Sequence, residues 1–168
     1  MAAGLGNYLS DLTRTIPVSG KFTRRQKQVY NAVLRIFRAQ VAALVPGKTT
    51  KELRTECEER IAKECVDLGL LKLSDIKKQK PDEPAVKKFF MHGVSHPIGL
   101  DVHDVTYNHF KIAPGWVLTV EPAIYIKAEG FGVRLENTVT VTADGPRDLM
   151  ADIPIEAGEI EDLMNRTK

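Results

Sequence analysis

Residues 117–142 read Val117-Leu-Thr-Val-Glu121-Pro-Ala-Ile-Tyr-Ile126-Lys-Ala-Glu-Gly130-Phe-Gly-Val-Arg134-Leu-Glu136-Asn-Thr-Val-Thr-Val-Thr142. Short β-rich runs, Val117 to Val120, Ile124 to Ile126, Val133 to Glu136 and Val139 to Thr142, alternate with Gly and Pro, the pattern of antiparallel strands joined by turns. Two acids interrupt them. Glu121 and Glu136 stand where a sheet interior is expected, and an unpaired carboxylate there is costly. Arg134 lies two residues before Glu136, on the same strand face, and offers it a salt bridge. Glu121 has no such local partner, so a metal ion explains it better.

Upstream the periodicity changes from two to about 3.6. Thr23 and Gln26 form a capping box, and Val29, Val33, Phe37, Val41 and Leu44 follow at helical spacing until Pro46-Gly47. A second box, Thr49 with Glu52, opens a helix with Leu53, Cys57, Ile61, Cys65 and Leu68 on one face, stopped by Gly69. These signals predict helices over 23–45 and 50–68. Residues 7 to 19 read as strand material around a turn, with Pro17 near an edge. Residues 74 to 88 read as a polar connection with a short helical turn, and 156–164 as a terminal helix. The order of strands, two helices and then more strands predicts an α+β fold, a curved antiparallel sheet with both helices on its outer face.

Composition narrows the function. The chain has 168 residues, one domain (1–168) by length, with 43% hydrophobic and 27% charged residues. Its net charge of +2, from 24 basic and 22 acidic side chains, gives no reason to expect nucleic acid or membrane as a partner. Lys77, Lys78, Lys80, Lys87 and Lys88 are interrupted by Pro81, Asp82, Glu83 and Pro84 and read as a solvated loop. No apolar run is long enough to span a bilayer, and Met1 to Gly6 lacks the features of a signal peptide. Cys57 and Cys65 are two helical turns apart, too far for a disulfide, and read as reduced core thiols. A cytoplasmic location is predicted.

His92, His96 and His103 fall in Met-His92-Gly-Val-Ser-His96-Pro-Ile-Gly-Leu-Asp-Val-His103-Asp. A lone histidine is ordinarily structural, but three among Gly93, Pro97 and Gly99 point to a metal or catalytic site, since glycine lets backbone approach a ligand closely. His109 lacks such a setting and reads as a surface residue. Asp11, in Ser-Asp-Leu-Thr-Arg-Thr, reads equally as a turn residue paired with Arg14. One imidazole and several carboxylates form a hard, oxygen-rich donor set that suits Mn, Co or Zn in a hydrolytic role.

Together these motifs, with Gly20-Lys-Phe-Thr23, Val-Glu121-Pro and Arg134-Leu-Glu136-Asn-Thr-Val, resemble the catalytic domain of aminopeptidase P (Xaa-Pro aminopeptidase). That family belongs to the pita-bread metallopeptidases, with prolidase, creatinase and methionine aminopeptidase. The resemblance runs from about Asn7 to Met164. It implies a partial pita-bread fold and removal of an N-terminal residue that precedes proline, so the expected partner is a peptide with proline second.

By position, the resemblance implies Asp11, His96, Glu121 and Glu136 as metal ligands, with Mn the expected ion, Co or Zn alternatives, and one or two ions bound. In that family a hydroxide bridging two ions attacks the scissile carbonyl. Glu121 would carry its proton to the leaving proline nitrogen. His92 and His103 would line the substrate pocket, His103 contacting the peptide carbonyl, and Arg134 would orient the ligand carboxylates. The family's fifth ligand, an aspartate, falls by spacing immediately before Met1. Weakened hydrolysis, or a non-catalytic module that binds metal or peptide, is therefore also expected. An open N-terminal edge predicts self-association into a homo-oligomer.

Overall fold

The computed structural model describes residues 2–80, 83–107 and 109–166. Its first element is an antiparallel hairpin of β1 (Ala2–Leu5) and β2 (Tyr8–Asp11), turned by Gly6 and Asn7 at φ 56° and 69°. Two successive left-handed residues make the tight turn that matches strand twist. The strand expected over 7–19 is thereby corrected: the pair spans 2–11, and past Thr13 the backbone leaves the ladder. Thr15 explains the change. Its hydroxyl donates to the Arg134 carbonyl at 2.9 Å and accepts from the Arg134 amide at 3.1 Å, a side chain replacing a strand's backbone. Pro17 then has no amide to offer.

Helices α1 (Arg24–Ala43) and α2 (Thr50–Asp67) begin at the expected capping boxes, Thr23 with Gln26 and Thr49 with Glu52. Leu53, Cys57, Ile61 and Cys65 of α2 are all buried, as their spacing predicts. Helix α1 is buried more broadly, through Val29, Tyr30, Val33, Leu34, Ile36 and Phe37, because strands cover one side and α2 another. It alone packs extensively on the strands; α2 rests on α1 and on a 3₁₀ turn at Ala85–Lys88. Buried Gln40 joins the two helices, donating to the Leu53 carbonyl at 2.8 Å and accepting from Arg60 at 3.1 Å. Both cysteines are free, and burial pushes their thiols up to about 12.

The polar connection holds a short helix, α3 (Leu73–Lys78). Beyond it lie β3 (Val117–Val120), β4 (Ala123–Ile126), β5 (Phe131–Arg134), β6 (Asn137–Thr142), β7 (Gly145–Asp148) and α4 (Ala157–Asn165). Strand β7 lies outside the β-rich runs read from the sequence, which end at Thr142. Pairing is antiparallel, β3-β6-β7 and β4-β5. The register is the same on both sides of the interruption, Val120 opposite Asn137 and Ala123 opposite Arg134, so the two ladders are one long hairpin with a gap. Pro122 makes the gap, because it has no amide for the ladder. Leu118, Val120, Ile124, Val133, Leu135 and Val139 form the sheet side of the core. Among the described residues, no helix is long and apolar enough to cross a membrane.

Thr23→Ala is expected to lower the unfolding free energy by about 1 kcal/mol, read as a shift of the urea midpoint at unchanged slope. Thr23 accepts from the Gln26 amide at 3.2 Å, and Gln26 returns a bond to the Thr23 amide at 2.9 Å.

Candidate metal centre

The constant register places Glu121 directly across from Glu136. On the far side of Glu136 runs the end of the first hairpin: the Thr13 and Glu136 amides donate to each other's carbonyls at 3.2 and 3.1 Å. On the far side of Glu121 runs the histidine loop, with the Glu121 amide on the Val94 carbonyl at 2.8 Å and the Thr119 amide on the His96 carbonyl at 2.9 Å. Four neighbouring antiparallel segments therefore contribute one side chain each, in the order Asp11, Glu136, Glu121, His96. Segments far apart in sequence meet here because strands converge where a helix could not.

The side chains come together. Ligand atoms of Asp11, His96 and Glu136 all lie within 4.8 Å of one another. His96 Nε2 is 3.7 Å from Glu121 Oε1 and 4.0 Å from Asp11 Oδ2. Glu136 is only 2% exposed. Glu121 is pushed up to about 7, first by burial and then by repulsion from Glu136 and Asp11, with Arg134 opposing. Three carboxylates crowded into one half-buried site favour a cation between them.

The histidines are oriented by carbonyls, which only accept. His96 Nδ1 lies 2.9 Å from the Pro97 carbonyl, so Nδ1 carries a hydrogen and Nε2 is turned toward Asp11 and Glu121. His92 Nδ1 likewise donates to the Gly93 carbonyl at 2.7 Å, and its Nε2 accepts from the Tyr125 hydroxyl at 2.9 Å. Burial lowers the His92 pKa and raises that of Tyr125, which keeps both in these forms at neutral pH. The His103 ring stands edge-on to His96 with centroids 4.3 Å apart, and both line a cavity of about 450 Å³. His109 is exposed.

Two sequence expectations are corrected. Arg134 makes no salt bridge to Glu136; its Nε donates to the Thr13 hydroxyl at 3.2 Å, and that hydroxyl in turn donates to Glu136 Oε2. Arg14 does not pair with Asp11. Its guanidinium binds the Asn137 side chain at 2.8 Å and the carbonyls of Thr13, Glu136 and Pro154, because the backbone crossing there leaves acceptors that a forked donor can satisfy.

Thr13 and Tyr125 are site residues the sequence reading missed. Strand alternation could have found both, since Thr13 is two residues from Asp11 and Tyr125 four from Glu121. Tyr125 also needs Gly132 opposite it: a Cβ there would lie 2.4 Å from the tyrosine ring. Thr13→Val is expected to weaken divalent-metal affinity about tenfold, measured by calorimetry, because Glu136 loses its donor and Arg134 its link to it.

The profile of metallopeptidase family M24 matches residues 1–143. Xaa-Pro aminopeptidase of Haemophilus influenzae is 39% identical over 94% of this chain and 39% of its own length. Xaa-Pro aminopeptidase 3 of Homo sapiens is 38% identical over 95% of this chain and 33% of its own. Zinc-substituted Escherichia coli aminopeptidase P in complex with product superposes with a TM-score of 0.86 at 37% identity, over 96% of this chain and 39% of that one. This chain thus spans well under half the length of these relatives. The fold is α+β and like that of the pita-bread aminopeptidases. The chain belongs to metallopeptidase family M24, as a homologue of the Xaa-Pro aminopeptidases.

Proposed function

We propose that these residues form one catalytic domain that removes an N-terminal residue preceding proline, with Asp11, His96, Glu121 and Glu136 holding a divalent metal. The observation that carries the reading is the meeting of four antiparallel segments, three contributing carboxylates and one an imidazole with its Nε2 turned inward. Oxygen donors with a single nitrogen suit Mn, with Co and Zn as alternatives, in one or two sites. When bound, such an ion supplies Lewis acidity and lowers the pKa of water at neutral pH.

The chain's own residues then divide the remaining work. Glu121, with one carboxylate oxygen 3.7 Å from His96 and the other 3.8 Å from His92, accepts the proton of the attacking water and passes it to the proline nitrogen. His103, beside His96 on the cavity wall, contacts the peptide carbonyl as negative charge develops. His92 is locked between Gly93 and Tyr125, with Nδ1 3.8 Å from Glu121, and would face the substrate from there. Arg134 holds Glu136 in place through Thr13.

Hydrolysis of an Xaa-Pro peptide that rises across a Mn titration is the expected result, with release of the first residue and no cleavage when proline is replaced by alanine. No hydrolysis at any metal level, together with no metal binding by calorimetry, would favour a non-catalytic module instead. Among the described residues, strand β1 pairs only with β2, and Leu5 and Tyr8 are 88% and 66% exposed. That open edge supports self-association, which sedimentation at several concentrations would read.

A further inference from the structure

The histidine-lined cavity shares lining residues with a neighbouring cavity on either hand. On one side it shares Pro97, Asp104 and Tyr107 with a cavity of about 490 Å³ walled by Phe110 and Trp116. On the other it shares Thr50 and Ser95 with a cavity of about 510 Å³ walled by Lys51, Arg54 and Lys87. Arg54 Nε and Lys87 Nζ both reach Glu58 Oε1, at 3.0 and 2.7 Å. Three cations and one carboxylate thus line this cavity, which keeps an excess positive charge. The opposite cavity is aromatic and carries the Asp104 carboxylate.

We propose that Lys51, Arg54 and Lys87 form a downstream subsite for a carboxylate of the peptide substrate, either its free C-terminus or an acidic side chain beyond the proline. The proposal rests on the peptidase reading above. A peptide with a free amine is a dipole: its N-terminus is positive and its C-terminal end negative. Laid through the histidine cavity, it meets complementary charge in only one direction, amine toward Asp104 and carboxylate toward the basic wall. The arrangement therefore sets both the polarity of binding and a preference among substrates. Arg54 and Lys51 are both exposed on α2, so both can be replaced without opening the core.

The test compares Ala-Pro-Ala-Asp-amide with its Asn counterpart, and Ala-Pro-Ala as free acid with its amide, on the full chain with saturating Mn. Rates give kcat/KM, and calorimetry on the slow Glu121→Gln protein gives Kd without turnover. The charged member of at least one pair is expected to be favoured about threefold to fivefold, as for an exposed ion pair, with most of the difference in KM and Kd. The two pairs separate side-chain from terminal carboxylate. In Lys51→Ala/Arg54→Ala the preference should fall to near unity, and about 1 M salt should erase it in the parent protein. Equal values within both pairs, a preference unchanged by the double variant, or no binding of any peptide would overturn the subsite. Binding with the expected preference but no hydrolysis would instead overturn the peptidase reading while sustaining the subsite.

Discussion

Glu121→Gln is expected to lower kcat/KM for an Xaa-Pro peptide by about a thousandfold, within the range for removing a general base. Glutamine has the same shape and keeps a carbonyl oxygen toward one of the two histidines, with its NH2 in place of the other carboxylate oxygen; those oxygens now lie 3.7 Å from His96 and 3.8 Å from His92. It cannot take up a proton at neutral pH. The loss should appear in kcat with KM little changed, since the interaction removed belongs to the transition state. Metal affinity measured on the same variant separates the two roles of Glu121: a fall in rate at saturating metal belongs to proton transfer, and a fall recovered by more metal belongs to ligation. Activity within about tenfold of the parent at saturating metal would remove Glu121 from the proton path.

The second large effect is on stability. With divalent ions removed by chelator, the unfolding free energy is expected to fall as pH rises from about 4.5 to about 7, by up to about 3 kcal/mol. The sign follows from the direction of the Glu121 shift. Its folded pKa is about 7 against 4.5 for the ordinary group, so between those values the native state binds more protons than the unfolded state. That contribution is present below about 4.5 and lost as pH climbs through about 7, because the ionised carboxylate is then buried away from water and faces Glu136 and Asp11. Glu121→Gln should flatten this part of the profile. Mn at a hundredfold excess over its Kd should add about 2.7 kcal/mol at pH 8, above the pH at which Glu121 ionises. A profile with no decline between pH 4.5 and 7 that also matches the glutamine variant would show that the carboxylates do not crowd as described.

Much of the site was readable locally because its residues break local rules. Glu121 and Glu136 were conspicuous as acids in strand texture, and the histidines as a cluster among glycines. The geometry that joins them was not readable. Thr13 and Glu136 are 123 residues apart, as their side-chain bond records, and nothing near Thr13 marks it as the partner of an acid on a distant strand. Arg134 illustrates the cost of local reasoning: two-residue spacing puts it on the face of Glu136, yet a threonine from the first hairpin lies between them.

What the sequence determined by itself is the set of elements whose signals are short-range. Each helix start is a four-residue capping box, and the buried stripe of α2 is a period of 3.6 that any packing partner would have to respect. The tertiary structure alone decided which strands are neighbours, where the first strand pair ends and which ring nitrogen of His96 faces the carboxylates. Antiparallel pairing is specified by complementary faces and backbone donors across the whole chain. A hydroxyl at Thr15 or a missing amide at Pro122 therefore redirects the ladder only once the opposite strand is in place.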